Sequence, residues 1–280
     1  MKTYPLLNQE SERLEFQMIE IAHKPLYNFK GIHRHDYFEF ILFEDGGKGV
    51  QTIDFERYPI TEKSLYVVMP NQVHLLERER EENGVIIQFT NEFLQASLSA
   101  VQLSDLHMLR SNPYTQLSDE VFHEIHASFQ QLKKLYERKA EYQSQQIRHL
   151  FAYTFYQILE QLPNKSDASI ETQTVYRFLD LAEQHFANLR NVAEYAKMIN
   201  VSVRKLNEEL RTKMGKTALQ ILHDLLIVEI KRLLLVEQLT HKEISYRLNF
   251  DSQASYNRFV QKHSSCKPSE LKEKLMNMHK

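Results

Sequence analysis

The chain has 280 residues, 42% of them hydrophobic and 26% charged, which is typical of a globular protein with one large or two ordinary domains. No run of about eighteen apolar residues occurs, so no membrane-spanning helix is predicted. The first residues also lack the apolar segment of a secretory signal. The single cysteine, Cys266, excludes an intramolecular disulfide and a metal site built from several cysteines. We therefore expect a cytoplasmic protein.

The net charge of −2 is unevenly distributed along the chain. Lys and Arg outnumber Asp and Glu by six in residues 175–280, whereas acidic residues outnumber basic ones by eight in residues 1–174. A basic C-terminal part joined to an acidic N-terminal part indicates a polyanionic partner for the C-terminal part only.

Residues 1–90 contain short segments rich in aromatic and β-branched side chains, separated by turn-like stretches with Gly, Pro and Asn. This pattern is typical of a β-sandwich or a β-barrel. The predicted strands are Phe38–Phe43, Gly49–Phe55, Ser64–Met69 and Gly84–Phe89.

From Asn91 onward the apolar residues follow the period of a helix instead. Ser118–Lys139 and Glu141–Leu162 each place apolar side chains on one face, which predicts two amphipathic helices. Residues 163–174 are polar and show no period, which predicts a linker. We thus expect an N-terminal domain at 1–162, with a barrel over about 1–90 and helices over about 91–162, a linker at 163–174 and a helical domain at 175–280.

Three helix start signals stand out in the C-terminal part. Asn191, Thr217 and Thr240 are each followed three residues later by Glu or Gln, as in a capping box. They predict short helices that begin at 191 and 240 and a long helix over about 217–238.

Each short helix is followed by a tight turn and a further helix, which is the helix-turn-helix pattern. The further helices are predicted at Ser202–Met214 and Ser252–His263. Asn200 and Asn249 lie in the turns, and Asn tolerates the positive φ that such a turn often needs.

The outer faces of these further helices carry side chains of the types that contact DNA. Arg pairs with guanine and Asn or Gln with adenine in the major groove, while Lys and Arg also bind phosphates. A single polar face is equally typical of a solvated helix, but two such units favour double-stranded DNA as the partner. The expected contacts are Ser202, Arg204, Lys205, Asn207, Glu208 and Arg211 in the first motif and Gln253, Asn257, Arg258 and Lys262 in the second.

Residues 175–275 resemble the DNA-binding domain of AraC/XylS-type transcription regulators. The resemblance rests above all on Ile244–Leu248 with Phe250, on Tyr256–Phe259 and on Pro268. It implies seven helices, with a long central helix that joins two motifs entering successive major grooves on one face of the DNA.

The sequence departs from this family pattern at four positions. Asn200, Asn249 and Ser265 stand where the family usually has Gly. Glu208 stands where many members have a basic or polar side chain that contacts a base. The base contacts of the first motif are therefore less directly transferable than those of the second.

A second motif lies in the N-terminal part, where His33, His35 and Glu39 form the string HxHxxxE and His74 follows in PNQVH. Both stretches resemble the motifs of the cupin β-barrel, the usual N-terminal half of this regulator family. Alternate strand residues share a face, so these side chains can point into a barrel. The expected effector pocket is lined by His33, His35, Tyr37, Glu39, Tyr66, His74 and Gln88.

A divalent metal is the alternative occupant of this site, because imidazole and carboxylate groups are its usual ligands. Its ligands would be His33, His35, Glu39 and His74. Regulators that resemble this chain commonly keep such a string without metal, so we expect no cofactor.

The sequence thus predicts an α+β protein with a cupin-like β-barrel and flanking helices, followed by an all-α domain with two helix-turn-helix motifs. The predicted function is transcription regulation by sequence-specific DNA binding, modulated by a small-molecule effector, without enzymatic activity. Helices near 118–162 imply a homodimer by the same resemblance, and RNA polymerase is a further possible partner. One alternative function is that of a metal-dependent cupin enzyme with an accessory helical domain, and another is that of a ligand-independent DNA-binding protein whose barrel only dimerises.

Overall fold

The structure, a computed structural model, divides the chain into two compact units, residues 2–165 and residues 166–280, called here the N-terminal and C-terminal units. The N-terminal unit combines strands and helices, and the C-terminal unit is helical, which confirms the predicted two-domain α+β class. The structure describes residues 4–6, 14–21, 31–78, 82–98, 101–162, 170–236 and 239–277.

The described strands of the N-terminal unit form two antiparallel sheets. A five-stranded sheet has the order β1-β7-β2-β5-β8, and a three-stranded sheet has the order β4-β3-β6. The predicted strands correspond to β2, β3, β5 and β7, with two of them identical in their bounds. The strands are β1 (Phe16–Ile21), β2 (Phe38–Phe43), β3 (Val50–Ile53), β4 (Glu56–Pro59), β5 (Ser64–Val68), β6 (His74–Glu77), β7 (Gly84–Phe89) and β8 (Tyr114–Gln116).

The two sheets face each other across a buried apolar cluster. Ile53 of β3 packs there with Ile41 of β2 and Ile86 of β7, so side chains of both sheets share one core. The opposite face of the large sheet, with Phe40 of β2, packs against helices. All six residues of β2 are therefore buried, because each of its two faces lies in a core.

Within the described residues, four helices cover the outer face of the large sheet. The two predicted amphipathic helices are confirmed as α3 and α4, and Ser118 caps α3 by accepting a hydrogen bond from the Val121 N–H at 3.4 Å. Phe129 of α3 and Phe155 of α4 are fully buried in the core beneath the sheet. The helices are α1 (Asn91–Ser97), α2 (Leu103–Ser111), α3 (Asp119–Glu137) and α4 (Gln143–Gln161).

The described part of the C-terminal unit contains seven helices, as the resemblance implies. The capping boxes predicted at Thr217 and Thr240 are present, whereas Asn191 instead accepts a hydrogen bond from the Ala193 N–H. The helices are α5 (Ile170–His185), α6 (Val192–Met198), α7 (Val203–Met214), α8 (Ala218–Val236), α9 (His241–Arg247), α10 (Gln253–Ser264) and α11 (Pro268–Asn277).

The predicted linker at 163–174 needs a correction. Helix α5 begins at Ile170, so residues 170–174 are helical, while residues 163–169 lie outside the described residues. A helix that is fixed by a packed segment extends into polar sequence without needing an apolar face there, because each added residue gains a backbone hydrogen bond. Polarity alone therefore misplaced this boundary.

None of the helices in the described ranges has both the length and the apolar character that a membrane crossing requires.

Candidate functional sites

Two helix-turn-helix motifs lie in the C-terminal unit, formed by α6 with α7 and by α9 with α10. Each turn contains an asparagine in the left-handed region, with φ of 60° at Asn200 and 49° at Asn249. This confirms the predicted positive φ at both positions. Ser265, the third position where the family has Gly, is also left-handed with φ of 58°. The backbone at all three residues thus has a conformation that glycine adopts at a lower cost in free energy.

Helix α7 separates an apolar face from a polar one. Leu206 and Leu210 are fully buried, and Ser202 caps the helix by accepting a hydrogen bond from the Lys205 N–H at 3.1 Å. Five of the six predicted DNA contacts in this motif are exposed, namely Ser202, Arg204, Lys205, Glu208 and Arg211.

Asn207, the sixth predicted contact of this motif, lies partly buried and makes an internal bond. Its Oδ1 accepts a hydrogen bond at 2.9 Å from the backbone N–H of Ala218, the first residue of α8. The side chain therefore joins α7 to the start of the long helix, where a helix needs acceptors for its first N–H groups.

Helix α10 has the same division into two faces. Tyr256 and Val260 are buried, and the Tyr256 hydroxyl lies 2.9 Å from Nδ1 of His241 in α9. Gln253 donates a hydrogen bond to Asn257 Oδ1 at 3.1 Å, which holds the two amides side by side. All four predicted DNA contacts of this motif, Gln253, Asn257, Arg258 and Lys262, are exposed.

The N-terminal unit holds a buried polar cluster between its two sheets. Glu39, on the inner face of β2, lies 3.5 Å from His35 Nε2 and 3.8 Å from His74 Nδ1, measured from its Oε2. Gln88 of β7 donates a hydrogen bond to Glu39 Oε1 at 2.5 Å. His33 joins the cluster through its ring, whose centroid lies 4.2 Å from that of His74. All five side chains are essentially inaccessible to solvent.

The protonation of this cluster follows from its surroundings. Burial lowers the pKa of His74 well below its usual value and also lowers the pKa of His33, so both rings are neutral near pH 7. Burial acts to raise the pKa of Glu39, but the neighbouring His35 and the hydrogen bond from Gln88 outweigh this effect and lower the pKa. The carboxylate is therefore ionised.

The tautomer of His35 is also determined by its contacts. Its Nδ1 lies 2.7 Å from the backbone oxygen of Tyr37, which can only accept a hydrogen bond, so Nδ1 carries the proton. The other ring nitrogen, Nε2, then faces Glu39, 3.5 Å from its Oε2. Tyr37 also stacks on His35 with ring centroids 3.9 Å apart, which orients the imidazole.

Tyr66, predicted to line this site, lies elsewhere in the same core. It pairs with Ile41 rather than with Glu39 in the β2–β5 register, and its hydroxyl donates to the backbone oxygen of Pro59 at 2.5 Å. Its ring packs against Phe43, with centroids 5.6 Å apart. The register therefore separates Tyr66 from the histidines.

Two glutamines that the sequence motifs did not indicate belong to the cluster instead. Gln51 Nε2 of β3 lies 3.3 Å from His74 Nδ1, and Gln17 of β1 donates to Gln88 Oε1 at 2.9 Å. Gln51 is fully buried. It lies two residues before the inward-facing Ile53, so strand alternation was the signal that places it in the core.

The donor set of His35, Glu39 and His74 fits a divalent metal ion. One ligand atom of each lies within 4.8 Å of the others, and all three side chains are buried. Two imidazoles and a carboxylate are ligands that first-row transition metals accept, and the Tyr37 carbonyl supplies the outer contact that usually orients a metal-bound imidazole. His33, the fourth residue of the predicted metal alternative, is not part of this three-residue group.

Two family models match the chain. The AraC-like ligand binding domain matches residues 18–151, and a helix-turn-helix domain matches residues 195–274. The first match contains the histidines and Glu39 of the buried polar cluster, and the second contains α7 and α10.

Curated and solved proteins are similar to all or part of the chain. The HTH-type transcriptional activator RhaS of Escherichia coli is 20% identical over 247 residues, 86% of this chain and 87% of RhaS. The structure of ToxT from Vibrio cholerae covers 92% of this chain and 98% of ToxT, with 16% identity and a TM-score of 0.45. The C-terminal domain of AraT from Geobacillus stearothermophilus covers 38% of this chain and 88% of that domain, with 22% identity and a TM-score of 0.35. On the two family models and the curated relatives, the chain is a member of the AraC family of DNA-binding transcription regulators, with a ligand-binding domain in its N-terminal half.

Proposed function

We propose that α7 and α10 read two half-sites of one DNA duplex and that a ligand bound in the N-terminal unit adjusts this binding. The observation that carries the proposal is the repetition of one arrangement. Each motif has a left-handed asparagine turn, a serine-capped helix and an exposed polar face on that helix. The cytoplasmic location stays a prediction, which the proposed binding to DNA supports.

The side chains of the second motif suit direct base recognition. Arg258 is exposed and able to form two parallel hydrogen bonds with a guanine, and the paired amides of Gln253 and Asn257 match an adenine edge. Lys262, two turns along the helix from Ser255, is placed for a phosphate. These roles make the second motif the main source of sequence preference.

The first motif offers a different mixture of groups. Arg204 and Arg211 are exposed cations for bases or phosphates, and the Ser202 hydroxyl at the helix start suits a phosphate. Glu208 is a hydrogen-bond acceptor that suits the amino group of a cytosine. Lys205 also lies 3.7 Å from the buried Glu209 carboxylate, so part of its charge is satisfied within the helix.

The test uses the full chain and duplexes selected from a random library. Arg258→Ala is expected to weaken binding to the selected duplex by about 1–3 kcal/mol and to change binding to random duplex far less. Arg177→Ala removes an equally exposed arginine from α5 and serves as the control, with both affinities retained. Equal losses on selected and random DNA would show that Arg258 contacts only phosphate.

The predicted homodimer has a suitable surface on α4. Tyr142, at its start, and Tyr153 and Tyr156 along it are exposed by 61%, 59% and 44%. Tyr142 and Tyr156 lie equally far from His149, so an antiparallel copy of α4 with its twofold axis at His149 brings these tyrosines together. A second copy of this chain is therefore the proposed occupant of this face.

Light scattering on the full chain tests the dimer. Tyr153→Glu places a charge in the proposed interface and is expected to give monomers at concentrations where the natural sequence forms dimers. Tyr246→Glu changes a still more exposed tyrosine, in the C-terminal unit, and is expected to leave the dimer intact. If both variants stay dimeric, another surface holds the copies together. Contact with RNA polymerase stays a prediction.

The ligand of the N-terminal unit is proposed to bind at the buried polar cluster. The residues proposed to contact a small polar effector are those predicted from the sequence without Tyr66, together with Gln51. The retained residues are His33, His35, Tyr37, Glu39, His74 and Gln88. Because the relatives are transcription regulators, we infer a sensing role for this site and no enzymatic one.

A divalent cation is the second candidate ligand, favoured by the close grouping of His35, Glu39 and His74. Thermal unfolding of the chelator-treated full chain with Mn²⁺, Ni²⁺ or Zn²⁺ tests it, because a ligand that binds only the folded state raises the midpoint. Glu39→Gln is expected to abolish that rise, whereas Glu56→Gln on the exposed strand β4 keeps it. No rise with any cation in the natural sequence would leave the organic effector as the ligand class.

A further inference from the structure

We propose that Asn188 and Arg190, which lie between α5 and α6, clamp the turn of the second helix-turn-helix motif and thereby set the DNA spacing that α7 and α10 recognise. This inference rests on the proposed reading of two half-sites. It assigns specificity to residues that position the motifs and need not touch a base.

Three contacts form this clamp. The Arg190 guanidinium donates a hydrogen bond to the backbone oxygen of Leu248, and its central carbon lies 4.2 Å from the centroid of the Phe250 ring. Asn249 donates from its side-chain amide to Asn188 Oδ1 at 3.1 Å. Every residue of the turn from Leu248 to Phe250 is therefore held by the connection that precedes the first motif.

On the side of the second motif, the clamp acts on α10 through Phe250. Phe250 packs against Tyr256 and Phe259 of that helix, with ring centroids 5.3 Å and 5.5 Å apart. Its backbone N–H also donates to the Ser245 carbonyl of α9 at 2.9 Å. A displacement of Phe250 must therefore move α10 or break its packing on Tyr256, which is fully buried and has little free space around it.

On the side of the first motif, the clamp begins next to a helix cap. Arg190 directly precedes Asn191, whose side chain accepts a hydrogen bond from Ala193 N–H and so fixes the start of α6. Helix α6 then leads through its turn to α7. The two recognition helices are thus joined by a short route through the clamp as well as by the long helix α8.

Two connections between the motifs restrict their relative movement more than a single connection does. Helix α8 already joins the two motifs, because Asn207 of α7 bonds to its first residue and His223 of α8 packs on Phe259 of α10. A second attachment near the turn further restricts the movement of one motif relative to the other. Inserting one base pair between two half-sites shifts the second by about 3.4 Å and turns it by roughly a tenth of a helical turn. A clamped pair of motifs must strain the clamp to follow that change.

Asn249 shows why the clamp belongs to this chain in particular. Both Asn200 and Asn249 adopt left-handed turns at positions where the resembling family usually has Gly. Glycine would satisfy either turn, but only a side chain at 249 reaches Asn188. The amide at position 249 therefore adds a contact between the motifs that a glycine lacks.

The experiment measures spacing preference with the full chain. A duplex selected from a random library by the natural sequence is compared with the same duplex carrying one inserted base pair between its half-sites. The measured quantity is the dissociation constant for the duplex with the insertion divided by that for the selected duplex. Asn249→Gly and Arg190→Gln are expected to reduce this ratio about three- to tenfold, as expected for the loss of one hydrogen bond. Asn200→Gly, the matched control, is expected to keep it.

Thermal unfolding first establishes that each variant is folded. The proposal is overturned if Asn249→Gly and Arg190→Gln weaken both duplexes equally, since a purely structural role or a phosphate contact has that effect. It is also overturned if Asn200→Gly changes the ratio as much as Asn249→Gly. Failure of the natural sequence to select any two-part site would instead contradict the proposed reading of two half-sites, and the clamp with it.

Discussion

Asn207 and Asn257 occupy the same place in the two motifs, each five positions after its capping serine, yet only Asn207 bonds to the start of another helix. Asn207→Ala removes the acceptor of the Ala218 N–H, and Ala218 is fully buried. A buried backbone donor without an acceptor costs about 1–3 kcal/mol. We therefore expect Asn207→Ala to lower the free energy of unfolding by about that amount, measured by denaturant unfolding of the full chain followed by helical circular dichroism.

Asn257→Ala is the matched control, because Asn257 is exposed and its described hydrogen bond is to the equally exposed Gln253. Its stability is expected to stay within about 0.5 kcal/mol of the natural sequence, as for most surface changes. Its affinity for the selected duplex is expected to fall by about 1–3 kcal/mol. If instead Asn207→Ala keeps full stability and loses preference for the selected duplex, the structural role given to Asn207 is wrong.

Three further predictions concern single contacts. Tyr66→Phe leaves the Pro59 carbonyl without its donor, and thermal unfolding should show a loss of about 0.5–1.5 kcal/mol with ligand binding unchanged. Gly84→Ala places a Cβ 2.2 Å from the Leu42 backbone oxygen, so β2 and β7 must separate and the yield of folded protein should drop. Lys262→Gln should weaken binding to every duplex and flatten the salt dependence; an unchanged salt slope argues against a phosphate contact.

Local signals in the sequence predict the C-terminal unit well. Helix caps, left-handed asparagines and amphipathic faces are all decided within a few residues, so Thr240 and Asn249 by themselves indicate the helix start and the turn. The orientation of Asn207 is different, because it depends on where α8 begins relative to α7. No property of residues 202–214 alone contains that information.

The strands were predicted unevenly for a physical reason. The central strands β2 and β7 are buried on both faces, so their sequences are continuous apolar runs that stand out. Strand β4 has an exposed pattern and ends in Pro59, and β8 is three residues long, so neither has a clear period. Pairing with a neighbour stabilises such strands, and pairing partners are distant in sequence.

The ligand site contains residues that are close in sequence and residues that only strand pairing brings together. His33, His35 and Glu39 are close in sequence and share one face by alternation, so their grouping was predictable. His74 joins them because it forms an isolated bridge with His33 and pairs with Ile53 in β3. Registers of this kind also explain why Tyr66 lies apart from the histidines, because two positions along β5 separate the neighbour of Glu39 from the neighbour of Ile41.

Strand β2 links ligand binding and dimerisation, the two activities proposed for the N-terminal unit. Glu39 points to the ligand site, whereas the next residue, Phe40, points to the opposite face and packs with its ring centroid 6.1 Å from that of Phe155 in α4. Helix α4 also carries the tyrosine face proposed for the dimer. A ligand that binds Glu39 more tightly in one position of β2 therefore favours one position of α4, since both faces belong to the same strand. Because such coupling is reciprocal, ligand binding at Glu39 and pairing along α4 are expected to change each other's free energy by the same amount.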